Sequence, residues 1–276
     1  MASLDSHDLT DCLVRTVIGF WSLGGVTVQH EHFCEVSHPT VPEHPLGNFA
    51  YRVRHDAGAA LQALVGERGR PPTPARRRVI IDEGTPAHME ALLTQHDWQL
   101  ERQLQLVLPS TAHVDAPTST VRPVGDDADW ATISDLFRRD HLEEDARRGN
   151  PPRSPAETEA AVALRRSLGS EVEYLLTEQD NRVIGCIGIW VSDERVGLIE
   201  DVFVRAEARG AGVATDLLRH AVSHGRRRGA REIIVGAEIE DTPKHLYARF
   251  GFEPAAVLRS FEAPPSQEAR GGNAAV

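Results

Sequence analysis

The chain has 276 residues, of which 41% are hydrophobic and 26% are charged. This composition is typical of a globular protein and excludes a disordered or collagen-like chain, and the length allows one large domain or two smaller ones. The formal net charge is -11 at pH 7. Because an acidic chain is a poor ligand for nucleic acid or an anionic membrane surface, we expect neither partner.

The cysteines are Cys12, Cys34 and Cys186. An odd number cannot close into a disulfide framework, and their spacing matches no zinc module, so we expect a reducing, cytoplasmic setting and no metal. The first 15 residues are too acidic for a signal peptide, and the apolar stretch 16–28 is too short to cross a bilayer. Lys244 is the only lysine among 30 basic residues, a bias in base composition that favours a bacterial source.

The composition changes at residues 110–120, which read STAHVDAPTST and have no helical or strand period. Small and polar residues in such a run are typical of a linker. We therefore predict a smaller N-terminal α/β lobe at residues 1–110, a linker at 111–119 and a larger domain at 120–264. The tail, residues 265–276, has little apolar content, and we expect it to be disordered.

Hydrophobic periodicity and turn residues predict the elements of the larger domain, including a Ser154–Glu157 capping box and an antiparallel meander of three strands. They run in the order strand, two helices, three strands, helix, strand, helix, strand, at residues 121–124, 126–148, 154–168, 172–177, 183–191, 196–205, 209–229, 232–239, 242–250 and 255–262. This order predicts a mixed α/β (α+β) fold with a mostly antiparallel sheet flanked by helices.

The segment Arg209-Gly210-Ala211-Gly212 lies between a predicted strand and the start of a predicted helix. Glycines let the backbone approach a ligand, and the N–H groups at a helix N-terminus attract anions, so the pattern favours a pyrophosphate site. A strand-to-helix turn that uses glycine for shape alone is the alternative. There is no Gly-Lys-Ser/Thr, which excludes a nucleotide-hydrolysing loop, and the preceding meander disfavours a dinucleotide-binding fold.

Residues 197–218, GLIEDVFVRAEARGAGVATDLL, resemble the central motif of the GNAT superfamily of acetyl-CoA-dependent N-acetyltransferases. The family pattern [QR]-x-x-G-x-[GA] is matched by Arg209, Gly212 and Ala214. Residues 241–254, DTPKHLYARFGFEP, resemble the final motif of the family, in which a short helix carries a Tyr ahead of Gly-Phe. The resemblance covers roughly residues 120–264 and implies a GNAT-like sheet and acetyl-CoA as co-substrate.

The resemblance also implies where the cofactor and the catalytic groups lie. Two strands of the sheet would diverge and pair with the pantetheine arm. The implied cofactor-binding residues are Val202, Phe203, Val204, Arg209, Gly210, Ala211, Gly212, Val213, Ala214 and Thr215. For direct attack of an amine on the thioester, Glu200 or Asp201 would be the base and Tyr247 the general acid, with a backbone N–H near Val202 facing the oxyanion.

Each of these catalytic roles has a structural alternative. Consecutive residues of a regular strand point to opposite faces, so only one of Glu200 and Asp201 can serve as base, and a structural ion pair is the alternative role. Tyr247 could simply pack in the core. Many family members carry Asn shortly before the last helix, where this chain has Glu240-Asp241. This departure weakens the inference of a side-chain contact to the cofactor there.

The N-terminal lobe resembles a second, degenerate copy of the same unit. Residues 76–98, RRRVIIDEGTPAHMEALLTQHDW, share with residues 230–252, AREIIVGAEIEDTPKHLYARFGF, a basic turn, a β-branched strand, Thr-Pro, a short helix and a closing aromatic. Upstream, Asp56 begins a helix at the place of the phosphate loop. A carboxylate there would repel a phosphate, so we expect no CoA binding by this copy. An unrelated α/β cap is the alternative.

Two polar clusters remain. His30, His32 and Cys34 alternate along a probable strand, with His38 and His44 nearby, and we favour a polar strand face or a substrate-lining wall over a metal site. Late in the first helix of the larger domain is a run of carboxylates that either attracts a cationic amine or is a solvated helix face. These carboxylates are Asp140, Glu143, Glu144 and Asp145.

Together these patterns predict an enzyme that transfers an acetyl group from acetyl-CoA to a primary amine, most simply on a small molecule. A protein lysine or N-terminus stays open as acceptor, and so does homodimer formation. The alternative from another class is a non-catalytic acyl-CoA-binding sensor. A binder needs the phosphate loop but neither Tyr247 nor a strand carboxylate.

Overall fold

The computed structural model describes residues 6–39, 41, 47–54, 56–65 and 78–264. His44 and the tail at 265–276, on which two of the predictions fall, lie outside these residues. The chain divides into two compact units. The large unit comprises Met1–Gly24 and Gln103–Val257, and the small unit comprises Gly25–Arg102 and Leu258–Val276. These boundaries differ from the predicted domains at 1–110 and 120–264.

The described residues form seven α-helices and eleven β-strands. The helices are α1 Ser6–Ser22, α2 Ala57–Val65, α3 Met89–Gln95, α4 Asp127–Arg148, α5 Pro155–Ser167, α6 Val213–Arg227 and α7 Pro243–Phe250. The strands are β1 Val26–Gln29, β2 Cys34–Ser37, β3 Asn48–Tyr51, β4 Arg78–Ile81, β5 Gln99–Leu108, β6 Val121–Pro123, β7 Val172–Gln179, β8 Arg182–Val191, β9 Val196–Val204, β10 Glu232–Glu238 and β11 Glu253–Glu262. Within the described ranges, no helix combines the length and the hydropathy that crossing a bilayer requires.

The sheet of the large unit has the strand order β5-β10-β9-β8-β7-β6. The β9–β10 pair is parallel, and the other neighbouring pairs are antiparallel. Asp180 and Asn181 both have positive φ (51° and 60°), the conformation of the tight turns that join two antiparallel strands. The mixed, mostly antiparallel sheet flanked by helices is therefore confirmed.

Local signals place the helices of the large unit. The side chain of Asp126 accepts the Asp129 N–H at 2.9 Å and caps α4. Ser154 and Glu157 form the predicted capping box of α5, which has Pro155 in its first turn. The buried face of α6 packs against the sheet through Leu217, Leu218, Ala221 and Val222.

Helix α1 belongs to the large unit, although the sequence assigned it to a separate N-terminal lobe. The Phe20 ring lies 6.0 Å from the Trp190 ring on β8. The Arg15 Nε donates to a carboxylate oxygen of Glu194 at 3.1 Å, and the Cys12 thiol donates to the other at 3.0 Å. Because the apolar face of α1 is buried against the large unit, helical periodicity alone could not reveal which unit it stabilises.

The predicted linker, residues 111–119, has no helix or strand but is bound along α6. The carboxylate of Asp216 accepts the backbone N–H groups of Thr118 at 2.8 Å and Ser119 at 2.7 Å, and both hydroxyl groups as well. Arg226 donates to the carbonyl oxygens of Pro109 and Ala112. The segment thus lies within the large unit, because Asp216 and Arg226 satisfy its backbone polar groups.

The small unit repeats part of this topology. Strands β1, β2 and β3 form an antiparallel meander, β3 pairs with β4 in parallel, and β4 pairs antiparallel with residues 259–262 of β11. The order β3-α2-β4-α3 therefore corresponds to β9-α6-β10-α7 of the large unit. In the large unit the antiparallel neighbour of β10 is β5, which follows α3, whereas the small unit takes β11, which follows α7.

The predicted alternation of His30, His32 and Cys34 along one strand is wrong. His30 and His32 lie in the turn between β1 and β2, which the His30 N–H closes by donating to the Phe33 carbonyl at 2.8 Å. The His30 Nε2 instead contacts a carboxylate oxygen of Glu35 at 2.7 Å. Across the described part of the chain, no three His, Cys, Asp or Glu side chains are grouped as metal ligands.

We expect Asp216→Ala to lower the free energy of unfolding by about 3 kcal/mol, because it removes the buried carboxylate that accepts the hydrogen bonds of residues 118 and 119. Burial alone would raise the pKa of Asp216, but the hydrogen bonds from Ser119 and Thr118 outweigh it and hold the pKa below its usual range. The difference from wild type should therefore be complete above about pH 4 and decline as the pH falls further. Denaturant unfolding at several pH values measures it.

The matched control is Asp115→Ala. Asp115 lies in the same segment, but its side chain is 72% exposed, so this variant should lose less than about 1 kcal/mol. Equal losses in the two variants would show that Asp216 does not hold the segment.

Candidate functional site

A cavity of about 930 Å³ lies in the large unit. Its wall is formed by the C-terminal half of α4, the end of β9, the loop before α6, the first turn of α6, the end of β10 and α7, together with Gln103 of β5. Both segments that carried the sequence motifs, residues 197–218 and 241–254, therefore meet at one cavity.

The cavity lies where two strands of the sheet diverge. Val196–Ile199 of β9 pairs in parallel with Glu232–Val235 of β10, and the pairing ends there. Residues 202–204 and 236–238 then line the cavity. Since backbone groups in a divergence of this kind have no cross-strand partner in the sheet, an extended ligand can bind to them as an added strand.

A β-bulge accompanies the divergence. On β8, Cys186 pairs with Phe203 and Gly188 pairs with Glu200, so Ile187 faces both Asp201 and Val202. Asp201 has a φ of 54°, in the left-handed region, which costs a non-glycine residue about 1–2 kcal/mol. The expectation that Glu200 and Asp201 alternate as on a regular strand is therefore corrected, because the bulge interrupts the alternation.

Asp201 forms an ion pair inside the large unit. Arg165 of α5 donates to its two carboxylate oxygens at 2.9 and 3.1 Å, and the Tyr174 hydroxyl of β7 donates at 2.6 Å. The side chains of Arg165 and Asp201 are only 11% and 12% exposed. Burial alone would raise the pKa of Asp201, but the Arg165 cation and the hydrogen bonds hold it below its usual range.

The Glu200 carboxylate differs from that of Asp201 in its partners and its pKa. Its carboxylate has neither a hydrogen bond nor an ion pair among the described residues. Burial and the charge of Asp201 raise the pKa of Glu200 to about 8, against the opposing effect of Arg165. Near neutral pH, Asp201 therefore holds the negative charge of the pair and Glu200 mostly holds the proton. Neither carboxylate is among the residues that line the cavity, although Val202 is.

Tyr247 both lines the cavity and packs in the core. It is 5% exposed, and its ring lies edge-on to Phe252 with 6.0 Å between centroids. Burial, followed by the charges of Glu200, Asp241 and Asp140, raises the pKa of Tyr247 above its usual range. Its hydroxyl therefore stays protonated at neutral pH and can donate a proton in the cavity.

The loop before α6 has the backbone that glycine permits. Gly210 and Gly212 have φ values of 79° and 83°, and a Cβ at either position would meet no atom within 4 Å. The constraint is thus the left-handed backbone rather than space. Gly212 caps α6 without a side-chain hydrogen bond, so the N–H groups of the first turn have no side-chain cap at the positive end of the helix dipole.

Six of the seven loop residues in the predicted cofactor-binding set line the cavity, and Ala211 does not. Arg209 is held in place from two sides. Its Nε donates to the Val204 carbonyl at 2.8 Å, and its Nη2 donates to a carboxylate oxygen of Glu143 at 2.6 Å. The guanidinium also lies 5.7 Å from the centre of the Phe203 ring. Arg209 therefore fixes the loop on the end of β9.

Carboxylates of α4 form one wall of the cavity. Asp140, Glu143 and Glu144 line it, whereas Asp145 is buried and paired with Arg153. Glu143 pairs with Arg209, and Glu144 pairs with Arg148 at 3.0 Å. At the position where the family pattern has Asn, Asp241 also lines the cavity and is paired with Arg147 at 3.0 Å.

Asp140 differs from its neighbours because its carboxylate has no hydrogen bond or ion pair among the described residues. Its side chain is open to the cavity, yet the surrounding wall removes much of its solvent. This desolvation and the charges of Glu144, Asp201 and Glu143 raise its pKa to about 6. Asp140 is therefore an unpaired anionic group in the wall.

Sequence reasoning missed Arg165, Tyr174 and Gln103. Arg165 and Tyr174 are 36 and 27 residues from Asp201, and nothing local distinguishes them from an ordinary helix cation and an ordinary strand aromatic. Gln103 lies before the predicted linker and was therefore assigned to the other domain. The bulge itself depends on the register of β8 and has no signal within β9 alone.

Comparison with known proteins identifies the segment that carries the cavity. Residues 130–252 match the model of the Acetyltransferase (GNAT) family. Glucosamine 6-phosphate N-acetyltransferase 1 of Oryza sativa subsp. japonica is 43% identical over 58 residues, which are 21% of this chain and 34% of the relative. The chain thus spans about a third of the length of that curated relative.

Two solved structures share the fold over most of the chain. A GCN5-related N-acetyltransferase from Kribbella flavida has a TM-score of 0.63 and 15% identity, with 98% of this chain and 99% of that chain covered. A tandem GNAT protein from the clavulanic acid biosynthesis pathway has a TM-score of 0.53 and 16% identity, with 91% and 88% covered. At these identities the likeness shows the fold.

Proposed function

We propose that the large unit binds acetyl-CoA and transfers its acetyl group to a primary amine, most simply on a small molecule. The observation that carries this proposal is the meeting of two features at one cavity. The first is the divergence of β9 from β10, and the second is the uncapped N-terminus of α6 beside Gly210 and Gly212. The family match of residues 130–252 supports the same reaction.

The two features suit different parts of CoA. The diphosphate is an anion, and the first-turn N–H groups of α6 would hold it together with the loop from Arg209 to Thr215. The pantetheine arm carries amide groups, which would pair with the backbone of Val202, Phe203 and Val204 as a short added strand. A backbone N–H near Val202 would then face the thioester oxygen.

Bound acetyl-CoA supplies an acetyl thioester. The amine must be neutral to attack its carbonyl carbon, and we assign removal of the amine proton to Glu200, directly or through water. As the C–N bond forms and the C–S bond breaks, Tyr247 donates its hydroxyl proton to the departing thiolate and then regains a proton from solvent. The products are the N-acetylated amine and CoA in its thiol form.

The wall charges favour a cationic acceptor. Asp140 offers an unpaired carboxylate to the cavity, and the protonated form of a primary amine is an ammonium that pairs with such a group. The name of the rice relative refers to an amino sugar, which also reacts through a primary amine. A small amine can enter a cavity of about 930 Å³ beside the thioester.

The small unit is proposed to be a diverged copy that does not bind CoA. Its order β3-α2-β4-α3 matches that of the large unit, and the tandem GNAT structure shares the fold over 91% of the chain. At the N-terminus of α2 the Asp56 carboxylate accepts the N–H groups of Gly58 at 2.8 Å and Ala59 at 3.3 Å. A side-chain anion thus already occupies the place of a phosphate.

A non-catalytic acyl-CoA sensor is the alternative. It would bind CoA through the same loop and release no thiol with any amine. Release of free CoA from acetyl-CoA, measured with a thiol reagent over a panel of small amines and lysine peptides, separates the two functions. Turnover with a peptide but no small amine would assign the acceptor to protein instead.

We expect Gly212→Glu to lower CoA affinity at least a hundredfold, because it places a carboxylate against the diphosphate and strains a left-handed backbone. Gly229→Glu is the matched control. Gly229 also has a positive φ (95°) and open space around it, but it follows the other end of α6. Calorimetric titration with CoA measures both. If a folded Gly212→Glu protein bound CoA as tightly as wild type, the diphosphate would have to bind elsewhere.

We expect Tyr247→Phe to lower kcat about 10²-fold or more with little change in CoA affinity, because the ring still packs on Phe252 while the acid is lost. Tyr51→Phe in the small unit serves as control and should retain wild-type kcat. Turnover assays and CoA titrations give the two readouts. A Tyr247→Phe protein with wild-type kcat would remove Tyr247 from the chemistry.

We expect Asp140→Asn to raise the KM for a cationic amine about tenfold while CoA affinity is retained. The carboxylate loses its charge as the pH falls through about 6, so the wild-type KM should rise below that pH, whereas the variant KM should not. Asp127→Asn, at an exposed carboxylate of the same helix, is the control. Identical amine KM values in wild type and Asp140→Asn would exclude Asp140 from the acceptor site.

A further inference from the structure

Arg165, Tyr174 and Asp201 form a three-residue contact that we name the bulge clamp. It joins α5 and β7, which follow one another in the chain, to β9. Arg165 donates twice and Tyr174 once to the same carboxylate, at 2.9, 3.1 and 2.6 Å. The backbone carbonyl of Asp201 also accepts the Cys186 thiol of β8 at 3.7 Å. Three elements thus converge on one residue of β9.

The clamp is buried and mutually satisfied. Tyr174 is 3% exposed, and the Arg165 and Asp201 side chains are 11% and 12% exposed. A bidentate guanidinium–carboxylate pair fixes both the distance and the plane of the two groups. Charged groups at this depth are stable only when they are paired, so the carboxylate of Asp201 cannot easily leave Arg165.

The clamp lies at the point where the sheet opens. Pairing of β9 with β10 ends at Ile199, the left-handed residue is Asp201, and the cavity-lining stretch begins at Val202. Without an anchor, a residue at φ 54° would relax toward the extended conformation, and β9 could then continue its pairing with β10. The clamp opposes that relaxation, because it holds the side chain of Asp201 in place through three hydrogen bonds.

Resting on the proposed function, we propose that Arg165 and Tyr174 are positioning residues that hold Asp201 in the bulge, keep the β9–β10 divergence open for acetyl-CoA, and leave Glu200 as the carboxylate that receives the proton of the amine. Asp201 is then a part of the clamp and not the base. Its carboxylate already accepts three hydrogen bonds, whereas Glu200 accepts none from the described residues.

The charged and titratable groups around Glu200 come from five elements. Asp201 is its neighbour on β9, Arg165 faces it from α5, Tyr174 from β7 and Tyr247 from α7. From α4, the charges of Asp140 and His141 interact with Asp201, and they therefore also influence the protonation of Glu200. Removing the charge of Asp201 while Arg165 stays should therefore make Glu200 lose its proton at a lower pH.

The decisive experiment compares Asp201→Asn with Glu200→Gln in pH profiles of kcat/KM for the amine. Asn fits the left-handed backbone and can still accept a hydrogen bond from Arg165. We expect Asp201→Asn to keep kcat within about tenfold of wild type. The increase of kcat/KM with pH should occur at a pH lower by one unit or more. Glu200→Gln should lower kcat/KM at least a hundredfold and abolish its increase with pH. If Asp201→Asn loses as much as Glu200→Gln, or the rise stays in place, the inference is overturned.

Tyr174→Phe tests the clamp if Asp201→Asn does not fold. It removes one of the three donors and keeps the ring that packs on Trp130, 5.6 Å away. We expect the KM for acetyl-CoA to rise threefold or more with kcat changed less than twofold. An unchanged KM would show that the clamp does not hold the opening. Arg166→Gln, which removes the exposed partner of Asp127 beside Arg165, is the control and should match wild type.

Failure of the proposed function is distinguishable from failure of this inference. If the wild-type protein binds CoA and acetylates no amine, the proposed reaction is wrong. The clamp is then tested by CoA affinity alone, which Tyr174→Phe should lower threefold or more and Arg166→Gln should not. Equal affinities in both variants and wild type would reject the clamp independently of catalysis.

Discussion

The buried pair between Arg165 and Asp201 is the contact on which the cavity depends. A parallel pair of strands would normally continue its hydrogen bonds, and that would close the sheet where a ligand must enter. Here the pairing of β9 with β10 ends at Ile199, and a left-handed residue follows two positions later. The ion pair stabilises the left-handed backbone of Asp201 relative to the extended conformation. The strain and the unpaired backbone groups are therefore confined to one short segment.

The same ion pair gives two adjacent carboxylates different protonation states. Asp201 has a cation and a hydroxyl donor, and its pKa lies below the usual range, whereas Glu200 has no such partner in the part of the chain that the structure describes, and its pKa is raised to about 8. Two like charges at this depth cannot both persist, so the partner supplied to one determines the protonation of the other. Near a cationic acceptor, Glu200 would ionise more readily, which couples acceptor binding to proton removal.

Local signals predicted most of the large unit. The Asp126 cap, the Ser154 capping box and the left-handed Gly251 ended or began helices within a residue or two of the predicted positions, because each acts over one helical turn. The predicted cofactor-binding residues of the loop, apart from Ala211, and Tyr247 of α7 all line the cavity. The bulge and Arg165 were not predicted, since both depend on contacts between elements, and the membership of α1 depends on which surface covers its apolar face.

Each unit completes its sheet with a strand that follows a helix of the other unit in the sequence. Strand β5 of the large unit follows α3, and β11 of the small unit follows α7. Strand β10 has residues 103–108 of β5 as its antiparallel neighbour, and β4 has residues 259–262 of β11. A fragment cut at the predicted linker would leave β10 with an unpaired edge rich in Ile and Val, a surface prone to self-association. The two units are therefore interdependent during synthesis, because β4 has no antiparallel partner in β11 until the ribosome has added residues 259–262.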